Sequence, residues 1–200
     1  MTVLIGLTIK NKSRVGIVHN PFSVEDREVG KTMFGSAEHG VFKVTATKDS
    51  SVSENLQRSI EYLEPFEVAE PAEDHPIKVA ASINHFSETM KEIIGTLGEH
   101  EVVRIGGAGN KVCNLALGTV DCYLHPSKGL MHWDLAAPES LVKGMGGKAT
   151  NFFQEPLSYP LDAPSYMFKG LICAKHPPMY NMIKTRMGQT LTDIASKVKF

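Results

Sequence analysis

The 200-residue sequence predicts a layered α/β fold, and three features carry that expectation. Apolar residues alternate through an opening pair of strand-like runs, strand and helix patterns alternate through the second half, and a stretch rich in proline and glutamate lies between them. This places an antiparallel-sheet half at 1–60, a linker or loop at 61–76 and an α/β half at 77–200.

TVLIGLTIK and RVGIVHNPF are strand-like runs joined by Asn11-Lys12-Ser13, the length and composition of a hairpin turn. The alternation of Val3, Ile5, Leu7 and Ile9 starts almost at Met1, so the chain opens inside a strand and further sequence is expected upstream. After Gly30, TMFGSAEHGVFKV reads as another strand. EYLEPFEVAEPAEDHP, with Pro65, Pro71 and Pro76, reads as the linker. IKVAASI is a strand, and Ser87 can cap a helix whose Met90, Ile93, Ile94 and Leu97 fall on one face. VVRIGG is a strand that runs into AGNKVCNLALG, a helix stopped by Gly118. VDCYLHP is the next strand, WDLAAPESLVKGMGG a helix entered near Pro138 and ended by Gly146-Gly147, and KATNFF a further strand. The tail puts Met182, Ile183, Met187, Leu191, Ile194 and Val198 on one helical face, which packs against the core.

Composition excludes several function classes. Lys plus Arg total 21 against 22 for Asp plus Glu, and the formal net charge of -1 offers no general attraction to nucleic acid or acidic membranes. Cys113, Cys122 and Cys173 are odd in number and set among apolar neighbours, as expected of reduced thiols. The sequence has no apolar run of the ~20 residues that a membrane span needs and no secretion signal at Met1, so a cytoplasmic protein is expected.

The candidate chemistry lies at three strand-to-helix junctions. Asp134 follows Trp133 where a helix begins, and its carboxylate either caps that helix or meets a metal beside an anion held by the free N–H groups. RIGGAGN places Gly106 and Gly107 before a helix, where backbone N–H groups can approach an anion. Lys111 follows, as a solvated lysine or as a cation for that anion. His85, just before Ser87, is an exposed loop histidine or a ligand contact. The three junctions share one edge if their strands are neighbours running the same way, and that edge is where α/β sheets bind ligands.

WDLAAPESLVKGMGGKAT, followed by Pro156-Leu157, resembles the C-terminal signature of the inositol monophosphatase superfamily. RIGGAGNKVCNLALGTVDCYLHPS resembles the segment before it, in the version found in 3′(2′),5′-bisphosphate nucleotidases, and TVLIGLTIKNKSRVGIVHNPF is similar to their strand pair. The resemblance implies an alternating α/β sandwich of the inositol monophosphatase and sugar phosphatase type, with 1–60 the remainder of its N-terminal half. It implies magnesium-dependent removal of a phosphate from 3′-phosphoadenosine 5′-phosphate, with Asp134 as a metal ligand and His85, Gly106, Gly107 and Lys111 on the substrate. An adenosine bisphosphate is then the small-molecule partner. Alternatives are an inositol polyphosphate phosphatase of the same superfamily and a catalytically dead nucleotide-binding fragment. Three departures stand out. Asn84 falls where the family carries serine, and Gly144-Met145 where it reads Glu-Ala. The Asp-Pro-Leu-Asp-Gly-Thr-like motif that supplies most metal carboxylates is expected upstream of Met1, so the catalytic residues are expected there and the short chain is expected to be inactive.

Overall fold

A computed structural model describes residues 2–21, 29–47, 51, 54, 60–83, 86–127, 129–162 and 169–197. The first sheet is antiparallel throughout, in the order β1 (Val3–Ile9), β2 (Lys12–Asn20), β3 (Val29–Ser36), β4 (Gly40–Thr47) and β5 (Glu61–Leu63). The second is mixed. Its strands are β6 (Ile77–Ala81), β7 (His100–Arg104), β8 (Cys122–His125), β9 (Lys148–Thr150) and β10 (Leu171–Ala174), in the order β7-β6-β8-β10-β9. The helices are α1 (Glu88–Thr96), α2 (Ala108–Ala116), α3 (His132–Gly144) and α4 (Pro177–Lys197), the last broken at Gly188 (φ 48°, ψ -127°).

Four layers result. Helices α2 and α3 lie between the sheets: Ala116, Ala137 and Leu141 meet Val18, Met33 and Val41 of the first sheet, while Val112, Leu115 and Leu135 meet Ala80, Tyr123 and Leu171 of the second. Helices α1 and α4 close the far face of the second sheet, where Ile93, Ile94, Tyr180 and Ile183 pack on Ile77, Val79 and Ile172. Met182 joins this cluster from its rim, and Val198 lies outside the described residues. Among the described residues no helix is long and apolar enough to cross a membrane.

Glycine brings α3 close to the first sheet. Gly6 and Gly16 are register partners, and a Cβ on Gly16 would stand 2.0 Å from the Ala137 carbonyl oxygen. The glycine of the Gly144-Met145 departure has a structural reason. A Cβ there would come 2.7 Å from the Ser36 carbonyl oxygen, so this glycine lets the end of α3 meet the β3–β4 turn. Helix α3 then stops in a Schellman motif: Gly146 takes φ 79°, its N–H donates to Lys143 O, and Gly147 N–H donates to Val142 O at 2.8 Å.

The structure corrects several boundaries. The first hairpin turns at Lys10 and Asn11, one residue early, because both take positive φ (51° and 61°) as the I′ turn demands. TMFGSAEHGVFKV is two strands folded about residues 37–39. The first three residues of the 61–76 stretch form β5, paired to β4. Helix α3 starts at His132, so Pro138 is an interior proline rather than the entrance; it lacks an N–H, leaving the Asp134 carbonyl without its helical donor.

At the amino ends of β6 and β8 a part-buried ion pair ties the second sheet. Asp121 accepts the Lys175 ammonium and the Lys78 N–H (2.8 Å), with His75 Nε2 3.5 Å away. Burial pushes the Asp121 carboxyl up, but Lys175, the Lys78 N–H and the charge of His75 outweigh it and hold it below the usual carboxylate range.

Candidate functional site

Strands β7, β6 and β8 are adjacent and parallel. The described residues that follow them, 82–83 and 86–87, 105–107, and 126–127 and 129–131, therefore lie at one edge, the arrangement the sequence left conditional. Two of them touch: an added Cβ on Gly106 would stand 3.5 Å from Ile83 Cδ1. His85 and Asn84 lie outside the described residues.

Gly107, at φ 77°, is the N-cap of α2, and no side chain caps it. The first N–H groups of α2 thus face the edge without a capping acceptor, and the positive end of the helix favours an anion there. A backbone at this φ suits glycine because a Cβ would be strained.

Lys111 is not a solvated surface lysine. It is 3% exposed, its Nζ donates to the Gly107 carbonyl at 3.3 Å, and it lies 5.0 Å from the centre of the Tyr123 ring. Burial holds its ammonium below the usual lysine value, and the negative charge of Asp134 partly restores it. The cation sits beneath the glycine turn, where its field is screened less than at the surface. Tyr123 itself is fully buried; burial first, then Asp134, raises its hydroxyl above the usual range.

Asp134 stands in the first turn of α3. Its Oδ2 accepts the Met131 N–H at 2.9 Å while its own N–H donates to Met131 O, the reciprocal bonds of a cap. The capping alternative is therefore real, and it uses one oxygen. Among the described residues Oδ1 accepts no hydrogen bond, which leaves it open to a cation. Beside it Trp133 is 60% exposed. His132 packs edge-on to Tyr159 with ring centres 5.6 Å apart, and burial lowers its pKa.

The donor set does not by itself hold magnesium. That ion takes near-octahedral oxygen coordination, and among the described residues no cluster of three His, Cys, Asp or Glu side chains could bind a metal. Asp134 contributes one free oxygen.

Sequence reasoning missed the support beneath these residues. Tyr123 under Lys111, and Asn20 Nδ2 donating to Asn110 Oδ1 at 3.2 Å between β2 and α2, join positions far apart in the chain. No local pattern signals either.

The family model described as the inositol monophosphatase family matches residues 1–191. The chain is 28% identical over 179 residues to 3′(2′),5′-bisphosphate nucleotidase 1 of Rattus norvegicus, covering 87% of this chain and 50% of that protein. It spans about half the length of the curated relatives it matches. Crystal structures of SaIMPase-II bound to inositol monophosphate and to 2′AMP superpose with TM-scores of 0.69 each, at 16% and 15% identity; they cover 100% and 98% of this chain and 68% and 64% of theirs. At such identities they establish the fold.

Proposed function

From its membership of the inositol monophosphatase family, we propose that this chain carries the phosphate-holding side of a phosphoric monoester hydrolase acting on 3′-phosphoadenosine 5′-phosphate. One observation carries the reading: the uncapped start of α2 and the free Asp134 oxygen open on one edge, with the buried Lys111 ammonium within the field of both. The α2 N–H groups bind a phosphate, and Gly106 and Gly107 let it approach. Lys111 adds charge from below and keeps the Gly107 carbonyl turned inward. Asp134 offers one oxygen to a cation, magnesium by the resemblance, whose chemistry is to polarise the phosphoryl oxygen. The remaining ligands must come from water, the substrate phosphate or carboxylates outside the described residues.

The nucleotide is preferred because the Gly-Gly-Ala-Gly-Asn-Lys run is of the nucleotidase type and the rat relative bears that name. An inositol phosphate is the second reading, favoured by the SaIMPase-II structure bound to inositol monophosphate. Calorimetric titration of the chain with 3′-phosphoadenosine 5′-phosphate and with inositol monophosphate decides between them. Tighter nucleotide binding, weakened at least ~10-fold by Lys111→Met, supports the first reading; tighter inositol phosphate binding supports the second, and no binding of either rejects both. Phosphate release tests catalysis: the 200-residue chain should show little, and a form extended by a family-like N-terminal segment should turn over with magnesium and fail on Asp134→Asn.

A further inference from the structure

We propose that Arg104 is a positioning residue that holds Ser82, at the end of β6, and Phe86, before α1, against the glycine turn at 106–107, setting the spacing between these parts of the candidate ligand edge. The inference rests on the ligand-edge reading above. Arg104 is the last residue of β7, and pairing with β6 continues one step beyond it through Ile105 N–H to Ala81 O at 2.9 Å. Its guanidinium then reaches across to the neighbouring junction at two points. Nη1 donates to the Ser82 carbonyl at 3.0 Å, and the guanidinium carbon lies 3.7 Å from the centre of the Phe86 ring. These partners sit at the two ends of the junction.

Both ends are themselves anchored. Ser82 follows directly on β6. Phe86 packs against the core on the far face of the second sheet, and Ser87, next to it, accepts the Met90 N–H at the start of α1. Ile83 completes the link by lying against Gly106. An exposed arginine held by a carbonyl and an aromatic face loses side-chain freedom that it would otherwise keep, so these contacts tie Ser82 and Phe86 to the end of β7. Among the described residues no carboxylate pairs with Arg104. A planar, forked cation is what these two contacts require; a lysine keeps the charge but neither the plane nor the fork.

Arg104→Lys and Arg104→Ala in the 200-residue chain test this. The first readout needs no ligand: amide hydrogen exchange of peptides spanning 82–90 and 105–112, with a β8 peptide as reference. Exchange at both junctions should rise about tenfold in both variants while β8 is unchanged. The second is affinity for 3′-phosphoadenosine 5′-phosphate, which should fall about tenfold in both. Wild-type affinity in Arg104→Lys with a loss in Arg104→Ala would make Arg104 a direct charge contact and overturn its positioning role. Unchanged exchange in both variants would overturn it too. If exchange rises as stated but the wild-type chain binds no nucleotide, the lock stands and the nucleotide reading falls.

Discussion

The two sheets are finished differently. In the second, helices close both faces, and Ile77, Val79 and Ile172 are 0% exposed. In the first, among the described residues, only the face toward α3 is covered. On the other, Ile5 is 59% and Leu7 53% exposed, with Val3, Ile9 and Val15 nearby, and β1 has no outer strand partner among the described residues. Yet the alternating Val3, Ile5, Leu7 and Ile9, the pattern of a strand that buries one face, lie on the open side, while Leu4 and Gly6 face the helices. Sequence and burial agree in the second sheet and part company in the first. The candidate ligand edge is built on the sheet whose central strands are buried on both faces, so the geometry of its junctions does not depend on the open face.

Matched truncations make the comparison quantitative. We expect Ile172→Ala to cost about 2–5 kcal/mol of stability, the loss of a buried side chain plus a cavity, and Ile5→Ala to stay within about 0.5 kcal/mol, as at exposed positions. Urea unfolding followed by circular dichroism measures both. Comparable losses would mean that the outer face of the first sheet is buried in solution, and the contrast would be void.

The closed face of the first sheet should respond to added volume rather than lost volume. Gly16→Val pushes a side chain into the Ala137 backbone and should cost about 1–3 kcal/mol or more, since backbone cannot yield as a flexible side chain can. Gly95, in α1, is the control. A Cβ there meets nothing within 4 Å, so Gly95→Ala should stabilise by about 0.5–1 kcal/mol through helix propensity. A tolerated Gly16→Val would show that α3 and the first sheet are less tightly apposed than the glycines imply.

The second sheet should also be the pH-sensitive one. Asp121 has a folded pKa below its unfolded value near ~3.9, so its contribution is present above that pH and is lost as pH falls through the depressed folded value. Asp121→Asn should remove about 1.5–3 kcal/mol at pH 7, the worth of a hydrogen bond to a charged group, and flatten the fall in melting temperature as pH drops below about 4. An acid limb that is identical in the variant would assign acid sensitivity to other carboxylates.

Much of this architecture was legible in the sequence because its signals were local. Ser87 caps α1 as its spacing required, accepting the Met90 N–H at 3.2 Å, and Gly146-Gly147 ends α3 because only glycine accepts φ 79° without strain. What was not legible came from contacts between distant residues. LICA became β10 by pairing with both β8 and β9, and a short buried apolar run carries no period that distinguishes strand from helix. At the candidate site, the junctions could be named in advance but not their support. The burial of Lys111 is set by Tyr123 arriving from another strand, and Arg104 finds Phe86 only because β6 and β7 are neighbours. Asp134 offered two possible roles in sequence; the structure shows the capping one, on Oδ2, and among the described residues leaves Oδ1 without a hydrogen bond.

The smallest stability effect should come from placing charge on the open face, and it is also the one that isolates what that face does. Ile5 lies opposite Ile17 on β2, in the centre of β1, and no residue of Val3–Ile9 is charged. Unpaired edges are held apart in other sheets by charged side chains, proline or a covering element, because free N–H and C=O groups otherwise pair with another chain. None of these devices acts on β1 among the described residues, and exposed apolar side chains beside the edge add to the tendency. Ile5→Lys directs an ammonium to solvent and should leave the urea midpoint within about 0.5 kcal/mol of wild type. It should also raise the concentration at which light scattering appears. Lysine at Ile172, by contrast, would bury an unpaired charge and unfold the chain. If Ile5→Lys unfolds it as well, something covers this face in solution; if scattering is unchanged, association runs through another surface.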